Sequence, residues 1–111
     1  MKLLTAVVAA SLLVCAAQAG TPAIERAFDR EKGGFYVIYA RALKENPSLK
    51  GKVVLDMDIA ASGVVIGCRV VSSELPRDIA TNFCDRARKI QFGAQPSSST
   101  FRKTLEFFPA L

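Results

Sequence analysis

Between Lys52 and Ile59 the chain alternates strictly. Val53, Leu55, Met57 and Ile59 fall on one side of an extended backbone, while Val54, Asp56 and Asp58 fall on the other. Successive side chains of a strand point to opposite faces, so this run is a strand with one apolar and one solvated face. Ala61-Ser62-Gly63 then offers a small turn, and Val64 to Val71 a second β-branched run. Asn46 to Ser73 therefore reads as an antiparallel hairpin.

The flanks supply what can cover its apolar side. Thr21-Pro22 suits a helix start, with a hydroxyl cap and a proline at the first helical position. Ile24, Ala27, Phe28 and Glu31 continue at helical spacing, and Phe35, Ile38, Tyr39 and Leu43 resume the stripe after Gly33-Gly34. Two helices meeting at the glycines and one long helix weakened there both fit. Asn46 precedes a proline and leaves the α region, so helix ends by Glu45. A further helix is expected from about Leu75–Asp78, placing Ile79, Phe83 and Ala87 on one face and stopping at Gly93. After a loop over Gln95–Thr100 comes a last strand, Phe101 to Phe108, closed by Pro109. The expected fold is α+β, in the order α-β-β-α-β: a three-stranded antiparallel sheet packed against helices on one face.

Only one domain fits in 111 residues. Residues 1–19 read as a secretory leader: Lys2 is the positive start, Leu3 to Ala17 the apolar run, and Ala17-Gln18-Ala19 the cleavage signal. Cleavage is expected between Ala19 and Gly20, leaving 20–111 as the domain. The alternatives are an uncleaved anchor, although the run is short of the ~20 residues that span a bilayer, and lipidation at Cys15, where Val14 takes the place of the small residue usually found just before such a cysteine. The expected location is the periplasm. Without Lys2 the chain keeps 14 basic side chains against 10 acidic ones. That excess is too small to indicate nucleic acid. Cys68 and Cys84 alone remain, and an even count in an oxidising compartment favours one disulfide over two separately buried thiols.

Candidate chemistry is sparse. There is no histidine, hence no usual general base for a serine or cysteine nucleophile and none of the commonest metal ligand. Asp56 and Asp58 stand ~6.6–6.8 Å apart along a strand, but alternate residues on a solvated face are ordinarily charged. Cys68 and Cys84 lack CxxC spacing, and the glycines form no phosphate-binding fingerprint. No catalytic residue, metal site or cofactor is expected. Arg86, Arg88 and Lys89, with Arg102 and Lys103 on what should be a neighbouring strand, form a basic cluster. It either complements the dipole at its own helix C-terminus or makes a weak contact with the membrane surface or cell wall.

The phrase YxRALxxNPxLxGKV at Tyr39–Val53 and VVSSEL at Val70–Leu75, with QFGA and LEFFPA near the end, resembles the AgmX/PglI-type C-terminal domain, a branch of the TonB C-terminal superfamily. The match runs from about Phe28 to Ala110. Ile90 stands where that family commonly has a large aromatic. Its members usually have an inner-membrane helix and a long linker ahead of the domain, whereas here the leader runs straight into the fold. The resemblance implies a non-enzymatic interaction module that captures an extended protein or peptide segment of another envelope protein at its last strand. The receiving residues would be Phe101, Arg102, Lys103, Thr104, Leu105, Glu106, Phe107 and Phe108. Arg102, Lys103 and Glu106 would equally serve as charges that keep a bare edge from aggregating. The alternative function is a structural or accessory envelope protein acting through the basic cluster.

Overall fold

A computed structural model describes residues 22–109. The expected leader, its cleavage point at Ala19 and Gly20, and the cap at Thr21 lie outside them. Helix α1 covers 22–30 and buries Ile24, Ala27 and Phe28, the i, i+3, i+4 face. Glu31 (φ −100°, ψ 2°) breaks the chain, and α2 runs Lys32–Glu45 with Phe35 and Tyr39 buried. Of the two arrangements left open, two helices form, but they part before the glycine pair rather than at it. Gly34 has another role. A Cβ there would stand 2.1 Å from Nε of Arg86, so its bare backbone leaves room for that guanidinium group against α2. Asn46 (φ −137°, ψ 90°) ends α2 one residue before Pro47.

β1 is Gly51–Ile59, β2 Val65–Ser73, α3 Arg77–Ala87 and β3 Ser99–Phe107. The fold is α+β, and its antiparallel sheet has the order β2-β1-β3, which makes the alternating strand the central one. Val53, Leu55, Met57 and Ile59 are fully buried against the helices. Around them the aromatic rings close the core: Phe28 stacks on Phe35 with centroids 5.1 Å apart, Phe83 on Phe107 at 5.1 Å, and Tyr39 lies 4.8 Å from Phe107. Burying a side chain of this size contributes about 1.5–3 kcal/mol. The Tyr39 hydroxyl donates to the Leu49 carbonyl, and burial pushes its pKa up.

Two boundaries differ from expectation. α3 ends at Ala87, not Gly93, and the segment beyond it sinks Ile90 and Phe92 into the core as irregular chain. β3 takes Ser99 and Thr100 from the expected loop and gives up Phe108, which is exposed beyond its end.

The hairpin turn is held from behind. Gly63 (φ +92°) has its Cβ position 2.2 Å from the Gly93 carbonyl oxygen, so only glycine fits. Phe92 N–H donates to Gly63 O (3.0 Å), Gln95 N–H to Ala61 O (2.7 Å), and Val64 bridges to Gln91.

Candidate binding edge

β1 is occupied on both sides, so β2 and β3 are the sheet's edges. The side of β3 that faces outward follows from the far end of β1. Lys52 N–H donates to the Glu74 carboxylate (2.7 Å), and its carbonyl accepts from Glu74 N–H (2.8 Å). The backbone of Lys52 thus faces the β2 side. Backbone polar groups alternate sides along an antiparallel strand, so Val53, Leu55 and Met57 turn theirs to β3. These residues pair with Leu105, Lys103 and Phe101. The odd-numbered residues of β3 are therefore bonded to β1, and the even-numbered Thr100, Arg102, Thr104 and Glu106 present N–H and C=O to the free edge. Nine consecutive pairs, Gly51↔Phe107 to Ile59↔Ser99, run without a register shift.

The side chains divide in the same rhythm. Phe101, Leu105 and Phe107 point into the core, as does Lys103, whose ammonium pairs with Glu25 (3.0 Å) and lies 5.5 Å from the centre of the Phe28 ring. Beside this inner row lies a groove of about 280 Å³ lined by Lys32, Phe35, Tyr36 and residues 103–107. Tyr36 is 53% exposed and sets its ring edge-on to Phe107 at 5.6 Å. Neither Lys32 nor Tyr36 stands out in the sequence, because both sit off the buried stripe of α2.

Among the described residues no helix lies over the outer face, and an ionic lattice braces it. Arg102 clamps Asp56 through Nε–Oδ1 (2.7 Å) and Nη2–Oδ2 (2.9 Å). Arg69 on β2 grips Asp58 (2.6 and 3.2 Å), which also accepts from Thr100 on β3 (2.8 Å). The Arg102 hydrogen bond holds the Asp56 carboxyl below the usual carboxylate range; bonds from Arg69 and then Thr100 do the same for Asp58. Both acids are thus held ionised by partners on the neighbouring strands, an arrangement that ties three strands together. A general acid would instead need a carboxyl raised towards neutrality.

The basic cluster disperses. Arg86 pairs with Glu31 (2.9 Å), and Arg88 pairs with Asp85 (3.1 Å) and donates to the Cys68 carbonyl (3.3 Å); Lys89 is exposed. The strand against α3 is β2, not β3. Arg102 and Lys103 therefore lie across the sheet from the cluster, on opposite faces of their own strand. Cys68 on β2 and Cys84 on α3 bring their sulfurs to bonding distance, 2.08 Å, with Cα atoms 5.5 Å apart. Among the described residues no group of three or more His, Cys, Asp or Glu side chains could hold a metal ion, and no helix is long and apolar enough to cross a membrane.

Comparison with known proteins adds no relative: no family model matches the chain, and no curated protein or solved structure matches it.

Proposed function

We propose that this chain is an exported, non-enzymatic interaction module that captures an extended segment of another envelope protein by adding it as a fourth strand along β3. The observation that carries this reading is the unshifted edge, with four alternate residues of β3 turning outward backbone groups that have no partner among the described residues. Main-chain pairing at such an edge supplies affinity, and alternate pockets supply selectivity. The groove between α2 and residues 103–107 is in position to serve as such a pocket. The reading agrees with the resemblance to TonB C-terminal domains of the AgmX/PglI type, in which a partner segment pairs with the last strand. Export to the periplasm agrees with an oxidised Cys68–Cys84 pair. An envelope role through the basic cluster has weaker support, since Arg86 and Arg88 already hold acidic partners.

Thr104→Pro tests the reading. Thr104 N–H faces the free edge, and its side chain is exposed, so proline removes one docking donor and leaves the bonds to β1 in place. Capture of the partner segment should weaken about tenfold or more while the circular dichroism spectrum is unchanged. Undiminished capture by the folded variant would overturn the proposal.

A further inference from the structure

α2 and α3 run antiparallel. Glu31 and Gly34, at the start of α2, meet Arg86 near the end of α3, while Glu45 lines the same cleft as Asp78 at their other ends. Along their exposed seam lie two clefts, of about 350 and 460 Å³, that share Ile38, Arg41 and Asn82 and so form one continuous groove. Its floor is apolar: Ile38, Ala42 and Ile79 pack against the core while only partly buried, and Val37 beside them is 50% exposed. The 11 residues of α3 give it a length of ~16 Å, about three helical turns.

The charges of this groove are sorted by end. Lys89 stands at one end and Arg41 midway, and neither has an acidic partner among the described residues. Glu45 and Asp78 stand at the other end, and among the described residues neither has a basic partner. Arg86 and Asp85, next to Lys89, are already paired with Glu31 and Arg88. Both walls are helices, whose interior N–H and C=O groups bond within the helix. An extended segment laid there would find no main-chain partner, so the occupant must satisfy its own backbone, as a helix does. Charge then sets its chemistry and direction. Acidic residues in its first half meet Lys89 and Arg41, an apolar stripe covers the floor, and a basic last turn meets Glu45 and Asp78. That order also complements the occupant's own helix dipole, and it sets the occupant parallel to α2.

We propose that the seam of α2 and α3 is a second docking site, which takes a three-turn amphipathic helix of a partner protein, acidic at its start and basic at its end. Recognition of a helix in a groove uses apolar anchors at i, i+3, i+4 and i+7, and the sorted charges fix its orientation and reject helices of the opposite order. The site is separate from the sheet edge. Tyr36 lines the groove beside β3, whereas Val37 and Arg41 line the seam. α2 is thus a wall of both, and a strand and a helix can be held at the same time. The inference does not depend on capture at β3.

The test uses the purified protein and two synthetic peptides of ~14 residues, about the length at which an isolated helix becomes viable. One carries glutamates in its first half and lysines in its last turn; the other reverses them on the same leucine stripe. In fluorescence anisotropy the first should bind saturably, and the second about tenfold or more weaker, because like charges then face each other. Arg41→Glu combined with Lys89→Glu should weaken the first peptide about tenfold or more, and Glu45→Lys should weaken it from the other end. All three positions are exposed, so the circular dichroism spectrum should not change. No saturable binding, equal affinity for the two peptides, or binding indifferent to these substitutions would overturn the proposal. Thr104→Pro separates this site from the sheet edge. It should leave peptide binding unchanged, and a loss there would move the helix to β3 and refute the seam.

Discussion

β2 and β3 both flank β1, both run nine residues and both expose one side of their backbone, yet they treat that side differently. β2 skips a residue twice against β1: Ile66 falls between the partners of Asp58 and Ile59, and Val71 between those of Val54 and Leu55. An extra residue at each place bends the strand and interrupts its ladder, a common protection against unwanted pairing. β2 is also tied to α3 through Cys68–Cys84. β3 has no register shift and no covalent tie among the described residues. Apolar exposure alone would choose the wrong edge. Ile66 is 69% exposed and Val70 and Val71 lie open beside it, whereas β3 keeps its apolar row inside. An edge open to pairing is recognised by an even backbone, whatever its side chains.

The comparison breaks first at proline. Leu105→Pro removes an N–H bonded to Val53 and disturbs a buried position, so it should cost about 3 kcal/mol or more and unfold much of the population in a thermal melt. Its neighbour Thr104→Pro should leave the melt nearly intact while weakening segment binding about tenfold or more, as loss of a hydrogen bond worth ~0.5–1.5 kcal/mol combines with the steric cost of the ring. Similar melts for the two would show that Thr104 and Leu105 do not turn their backbones to opposite sides of β3.

The covalent tie on β2 comes next. It closes a separation of 16 residues, for which about 3 kcal/mol of stability is expected. Replacing Cys68 and Cys84 together by alanine should lower the denaturant midpoint accordingly while leaving capture at β3 intact below that midpoint. Capture that falls in step with the disulfide at native conditions would join the two edges functionally.

Acid probes the lattice that spans both edges. Asp56 and Asp58 have folded pKa values below the unfolded value of about 3.9. Their contribution is fully present above that value and is lost as pH falls through the lower folded one. Stability should hold from neutral pH to about pH 4 and decline below. Asp58→Asn should flatten that decline in pH-dependent melts. The smallest effect belongs to Ile66→Thr, which should leave capture unchanged; a clear loss would transfer the binding role to β2.

Much of this was legible in the chain. The alternation from Val53 to Ile59 identified β1 and its buried face, and the apolar stripes identified the helices. The bulges were hidden because Val64 to Val71 holds β-branched residues at five of its eight positions, on both faces, and so has no period to be interrupted. The end of α3 was overrun because Arg88 to Phe92 contains neither glycine nor proline, yet Ile90 and Phe92 bury themselves without helix. Lys103 reads as an edge charge, but its partner Glu25 is 78 residues away in α1. That separation hides the fact that its charge is turned inward, where reversal would disturb the core. The free side of β3 needs the strand order and the Lys52–Glu74 contact, neither of which is a local property.

The contact between Gly63 and Gly93 also decides where this chain tolerates a change of length. The turn at 60–63 is backed by main chain on its far side, so an inserted residue has nowhere to go. Residues 96–98 carry no such backing among the described residues, and a longer loop there adds only a slowly growing entropic cost. Of these two joints, one is elastic and the other inextensible. The inextensible joint fixes the distance from the hairpin at which the approach to β3 begins, so grafted peptides or labels belong in the serine loop.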